Sequence, residues 1–249
     1  MTNHSRRSFF KLPLPLVCGF SAISSLRAEL EQLKIRYVLS SAMYGEMKLD
    51  DILPEVSKAG CEAIDIWCKV HGNQREQISE MGYARAKELF DRGFDTLKIK
   101  VGKDVSSDFE RVRCVREAVG DNVGIRVDAN DHYSTEEAIK FINKIEQLIV
   151  EHVEQPISRY DFLGMREIRK SVNVPLMTDD MVSTPLDAMN VIRLDAADRV
   201  KVKVTKHGID GAIQIISMLS SAGKRAVLGH VFETGLAAVA EAHLSLIHI

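Results

Sequence analysis

Short apolar runs, each ending in a charged or polar residue, recur along the second half of the chain at a nearly constant interval. Leu97-Lys98-Ile99-Lys100-Val101 comes first, followed by Val123-Gly124-Ile125-Arg126-Val127-Asp128 and Val150-Glu151-His152-Val153-Glu154. Val174-Pro175-Leu176-Met177-Thr178-Asp179, Val200-Lys201-Val202-Lys203 and Ala226-Val227-Leu228-Gly229-His230 complete the series. Lys100, Asp128, Glu154, Asp179, Lys203 and His230 follow one another at steps of 24 to 28 residues. One strand, one helix and two short loops need that length, and a parallel strand reaches its neighbour only through such a crossover. Six units in succession predict an α/β protein with a parallel sheet, most economically a TIM-type β/α barrel.

The first half adds two more units. Arg36 to Ser40 reads as a strand, Leu49 to Ala59 as an amphipathic helix ended by Gly60, and Ala63 to Trp67 as a second strand. The total is eight strands. Tyr83 to Arg92 reads as a further amphipathic helix closed by Gly93, and Gly235 to Leu246 begins an Ala/Leu-rich helix. Residues 1–30 stand apart: Arg6-Arg7 precedes a modest apolar segment broken by Pro13 and Pro15. That arrangement suggests a twin-arginine export leader, so the expected location is cytoplasmic, or exported if the leader is genuine. The segment is too short for an ordinary membrane-spanning helix. The expected division is 1–30 as leader, 31–82 as two β/α units and 83–249 as the main barrel region.

The chain of 249 residues is 45% hydrophobic and 27% charged, an ordinary globular balance. Its net charge of −2 argues against nucleic acid or an anionic membrane as principal partner. The four cysteines, Cys18, Cys61, Cys68 and Cys114, have no close-paired metal spacing and read as reduced and structural.

In a β/α barrel every strand's C-terminal end opens on one face. Lys100, Asp128, Glu154, Asp179, Lys203 and His230 are therefore expected to converge there. Three carboxylates so placed repel one another unless a cation lies between them, and hard oxygen donors favour Mg²⁺, with Mn²⁺ the alternative. Lys98 and Lys100 are read as pointing to opposite faces of their strand, with Lys100 nearer the mouth. There a neighbouring cation and partial burial lower its pKa toward that of a base. Lys201 and Lys206 are assigned a surface or packing role.

With Lys98-Ile99-Lys100, Asp128-Ala129-Asn130, Glu154-Gln155-Pro156, Asp179-Asp180 and Lys203 in this order, residues 83–246 resemble the enolase superfamily, in its mandelate racemase / muconate lactonizing enzyme group. The resemblance implies an isomerase or lyase that removes the proton α to a substrate carboxylate through a metal-stabilised enolate, then epimerises, racemises, cycloisomerises or dehydrates. It gives Asp128, Glu154 and Asp179 as metal ligands, Lys100 and Lys203 as the two bases, and Lys98 as electrostatic support. Asp180 stands where the family usually has Glu and is expected to orient the ligand beside it. Asn130 either hydrogen-bonds a ligand or shapes its loop. His230 and Glu233 are expected to contact substrate, with a structural or a catalytic role for His230 as alternatives.

Two departures stand out. His207-Gly208-Ile209 has one glycine where the family usually has two. The family's N-terminal capping domain has no counterpart in residues 1–82, whose residues 31–82 instead resemble the start of a xylose-isomerase-like sugar epimerase barrel. The barrel is thus expected to be uncapped, and incomplete or composite. A catalytically silent metal-binding barrel is one alternative and a sugar isomerase another. The expected partner is a small carboxylate substrate, with a homo-oligomer as the usual form.

Overall fold

The computed structural model describes residues 38–58, 63–66, 72–82, 84, 85, 88, 96–229, 240 and 244. These fall in one compact unit, residues 35–248. The proposed leader, residues 1–30, lies outside the described residues, as do Cys18, Cys61, Cys68, His230 and Glu233. Cys114 is a free thiol. Of the helix expected over 83–92, residues 84, 85 and 88 are described and helical; of the C-terminal one, residues 240 and 244 are.

Eight strands form one parallel sheet in sequential order: β1 Val38–Ser40, β2 Ala63–Ile66, β3 Thr96–Lys100, β4 Gly124–Asp128, β5 Val150–Glu154, β6 Leu176–Thr178, β7 Arg199–Val202 and β8 Arg225–Leu228. Helices α1 Leu49–Lys58, α2 Gln74–Met81, α3 Val105–Val119, α4 Thr135–Ile145, α5 Phe162–Ser171, α6 Pro185–Leu194 and α7 Val204–Ser221 supply the crossovers. This is the expected β/α barrel architecture. Among the described residues no ladder joins β8 back to β1. The β2–β3 ladder pairs Ala63 with Thr96, Ile64 with Leu97, Asp65 with Lys98 and Ile66 with Ile99, so both stretches distinguished in the sequence share one sheet.

The helices start where the sequence provides acceptors. Asp104 caps α3 by accepting from the Ser106 and Ser107 amides. Ser134 with Glu137, and Thr184 with Asp187, form capping boxes at α4 and α6, and Pro185 occupies the first turn of α6, where no amide donor is needed. Alternation along the strands then sorts the side chains. Leu97, Ile99, Ile125, Val127, Val200 and Val202 are buried in an apolar cluster with Val112, Phe141, Ile142, Ile168, Val191, Ile215 and Leu219 from the helices. Phe141 alone, fully buried, contributes about 1.5–3 kcal/mol of transfer free energy. The intervening positions carry charge, and those charges meet one another on the opposite face of the sheet.

Barrel strands are staggered, and the stagger decides which residues reach the mouth. Lys100 pairs in register with Asp128, Asp128 with Glu154, Glu154 with Met177 and Met177 with Arg199. One rung thus runs from the last residue of β3 to the first of β7. To stay level with the mouth, β6 must contribute Asp179, just past its end, and β7 must contribute Lys201 and, just past its end, Lys203. A register shift between Ile125 and Arg126 brings Asp128 directly opposite Glu154.

Candidate acid–base and cation site

The carboxylates and lysines singled out above form one buried network at the C-terminal ends of β3 to β7. Lys98 Nζ bridges Asp128 Oδ2 and Glu154 Oε2, each at 2.9 Å. Lys100 Nζ lies 2.6 Å from the same Asp128 oxygen. Lys201 Nζ bridges Glu154 Oε1 at 2.6 Å and Asp179 Oδ2 at 3.7 Å, and Lys203 Nζ lies 2.6 Å from Asp179 Oδ1. Asp128 and Glu154 are only 2% and 1% exposed.

Two expectations change here. Lys98 and Lys100 do not point to opposite faces: both ammonium groups reach the same Asp128 oxygen, because residues two apart in a strand share a face. Lys201 is not a surface or packing residue; two positions before Lys203, it enters the mouth for the same reason. Lys206, half-buried, lies 3.2 Å from Asp180 Oδ1 and 3.4 Å from the Asp179 carbonyl oxygen.

The charge balance shows in the acids. Burial is the largest influence on Glu154 and raises its pKa, yet Lys98 and Lys201 outweigh it and hold the carboxyl at about 2. Asp128 behaves alike: burial and the Glu154 charge push its pKa up, and Lys98, Lys100 and Lys201 bring it below the usual carboxylate value. Burial also opposes the ionisation of Asp179, against Lys201 and Lys203, with the same net lowering. In all three acids the surrounding cations favour the ionised form against the opposing effect of burial.

Supporting groups fix these side chains. Asn130, at φ 47°, donates its backbone N–H to Asp128 Oδ1 at 3.0 Å and accepts at its side-chain Oδ1 from Lys100 Nζ at 3.0 Å, so it both shapes the loop and touches the acid. Asp180 is held by Arg159 at 3.0 Å and Lys206 at 3.2 Å, with Lys203 Nζ 3.8 Å away. Gln155 is buried and works as a clamp: its Oε1 accepts from the Asp179 amide at 2.9 Å and the Met181 amide at 3.3 Å, while Nε2 donates to the Ile157 carbonyl at 2.8 Å. His207 does the same for Lys203. Its Nε2 lies 3.0 Å from the Val182 carbonyl oxygen, and its Nδ1 lies 2.8 Å from the Lys203 carbonyl oxygen and 3.1 Å from the Lys203 amide nitrogen, so the ring ties the loop after β6 to the Lys203 backbone. Gly208, beside it, has φ 67°, a backbone glycine adopts readily.

The donor set suits a hard divalent cation: three carboxylates from consecutive strand ends, linked in pairs by shared positive charge. Their spacing is that of ammonium bridges. Among the described residues no three His, Cys, Asp or Glu groups sit close enough together to hold a metal ion as they stand. Residues 83–248 match the family model described as Enolase C-terminal domain-like.

The chain belongs to the enolase C-terminal domain-like family.

Within that family, the L-Ala-D/L-Glu epimerase of Bacillus subtilis is 37% identical over 166 residues, covering 65% of this chain and 45% of that protein. The N-succinyl-L-Arg/Lys racemase of Bacillus cereus is 30% identical over 162 residues, covering 64% and 44%. Among solved structures, a dipeptide epimerase from Cytophaga hutchinsonii complexed with Mg and the dipeptide D-Ala-L-Val superposes with a TM-score of 0.63 at 34% identity, covering 66% of this chain and 45% of that one. The chain spans about half the length of the curated relatives it matches. Of the positions that the family resemblance singles out, the structure brings Lys98, Lys100, Asp128, Asn130, Glu154, Asp179, Asp180 and Lys203 together. It adds Lys201, which was expected to have a surface or packing role, and Gln155 and His207, which stood in quoted motifs with no role of their own. The period-two rule would have found Lys201; the clamps depend on loop paths that no spacing encodes.

Proposed function

We propose that the chain carries the acid–base centre of an epimerase acting on a small carboxylate substrate, and that dipeptides are its substrate class. The observation that carries this is the placement of Lys100 and Lys203: on β3 and just past β7, they close the two ends of one chain of buried acids. Supporting it, four of the curated relatives, 34–37% identical, are named as dipeptide epimerases or by the dipeptide they epimerise.

Asp128, Glu154 and Asp179 would hold a divalent cation, Mg²⁺ or Mn²⁺. When bound, that ion supplies positive charge where a substrate carboxylate acquires its second negative charge. Lys100 and Lys203 act in turn. The neutral amine of one takes the α proton from one face, and the ammonium of the other returns a proton to the opposite face, which inverts the carbon. Lys98, tied to both Asp128 and Glu154, adds fixed positive charge beneath the reacting group. Asn130 orients Lys100, and His207 orients the backbone of Lys203. The buried surroundings keep these charges strong by excluding water.

The test is hydrogen exchange. A panel of dipeptides, including L-Ala-D-Glu and L-Ala-L-Glu, is incubated in D₂O with Mg²⁺ and followed by NMR. Deuterium is expected at the α carbon of one residue, with both epimers appearing. Lys203→Ala should abolish exchange from one epimer while leaving it from the other. A folded chain that binds the divalent ion yet exchanges no α hydrogen across the panel would overturn the proposal.

A further inference from the structure

Lys201 introduces a fourth ammonium into a mouth that has three central carboxylates. Its Nζ lies 2.6 Å from Glu154 Oε1 and 3.7 Å from Asp179 Oδ2, and its side chain is only 14% exposed. The stem has a seat of its own. Gly229, just past β8, donates its amide to the Val202 carbonyl at 2.8 Å, and a Cβ there would collide with the Lys201 stem. It would come within 2.4 Å of Cε, 2.8 Å of Cγ and 3.0 Å of Cδ. The bare glycine backbone makes room for the lysine stem, whose ammonium reaches the acids.

Resting on the reading of Asp128, Glu154 and Asp179 as a divalent-cation site, we infer that Lys201 is a built-in competitor for that cation. Its ammonium occupies the side of the mouth between Glu154 and Asp179, and it sets how weakly the ion is held. A divalent ion that engages both acids must displace this ammonium or accept its repulsion in a site with little water to screen it. Lys98 differs: it bridges Asp128 and Glu154 and leaves the Asp179 side open. The device makes cation loading a selectable step, with affinity tuned by one side chain that needs no part in proton transfer.

The experiment measures binding of Mn²⁺ to the full chain, by electron paramagnetic resonance and calorimetry at fixed neutral pH, without substrate. Lys201→Met keeps the stem and removes the charge. Gly229→Ala keeps the charge and displaces the stem. Asp179→Asn serves as the reference for the cation site itself. Lys201→Met is expected to bind Mn²⁺ about tenfold more tightly than the parent, a factor equal to about 1.4 kcal/mol. Gly229→Ala should shift in the same direction, and Asp179→Asn should lose binding. Circular dichroism establishes that each variant is folded; if Lys201→Met is not, Gly229→Ala decides alone. Equal or weaker binding by the deciding variant, with binding lost in Asp179→Asn, would overturn the competitor role and leave the cation site standing. Absence of Mn²⁺ binding in parent and variants alike would overturn both.

Discussion

Gln155 offers the sharpest test of how the site is held. Replacing it by Leu keeps most of the buried volume, so the loss is one of hydrogen bonds and not of packing. Three partners are stranded: the amides of Asp179 and Met181 and the carbonyl of Ile157. A buried polar group left without a partner costs about 1–3 kcal/mol. The Asp179 bond is only part-buried and the Met181 contact is long at 3.3 Å, which places both toward the low end. The expected total is about 3 kcal/mol. At about 2–4 °C per kcal/mol for a chain of this size, the melting temperature should fall by roughly 6–12 °C. Scanning calorimetry or a circular dichroism melt reads this directly. Gln155→Glu keeps the acceptor and should retain part of the stability at neutral pH. Because the clamp sets the path of the chain at Asp179, Gln155→Leu should also weaken divalent binding while leaving Glu154 and Asp128 untouched. A melting temperature within a couple of degrees of the parent, with cation affinity unchanged, would show that the clamp positions nothing.

Lys98→Met should destabilise the chain by about 3–5 kcal/mol in urea titration, since it leaves two buried carboxylates short of their shared partner. Stability should fall with acidity in two overlapping stages, read from urea midpoints between pH 7 and 3. His152, whose Nδ1 lies 2.8 Å from an Arg199 donor, is held down to about 3 chiefly by burial and then by Arg199, so its contribution is complete above about 6.5 and declines below it. Glu154, held at about 2 against 4.5 for a free carboxyl, contributes fully above about 4.5 and loses that contribution as pH falls toward 2; a midpoint that stays flat from pH 5 to 3 would contradict this. Gly102→Ala should cost about 1–3 kcal/mol in the same assay, because its φ is 111° and a Cβ would sit 2.8 Å from both the Ala129 carbonyl oxygen and the His132 Cβ.

The barrel was legible because its signal is arithmetic: each strand–helix unit needs a similar length, and Lys100, Asp128, Glu154, Asp179 and Lys203 repeat at that length. The convergence of those residues was legible for the same reason. What escaped was side-chain direction and loop path. Placing Lys98 and Lys100 on opposite faces misapplied an alternation that in fact unites them, and the same slip hid Lys201 beside Lys203. Gln155 was visible only as part of a motif; its side chain becomes a clamp through contacts with the loop after β6, 24 and 26 residues on, which no local pattern announces. The helix α1 and the strands β1 and β2 were read from local pattern alone and stand where expected, but nothing local indicated that β2 would pair with β3.

That pairing bears on how the molecule could be divided. Four consecutive residues of β3 take their partners from β2, so excising the first two units would uncover a row of backbone donors and acceptors flanked by Leu97 and Ile99. Exposed strand margins of this sort recruit other chains. A fragment cut to the boundary of the family match would carry the acids and lysines described at the mouth and still be prone to self-association, because the strand that covers its edge would be left behind.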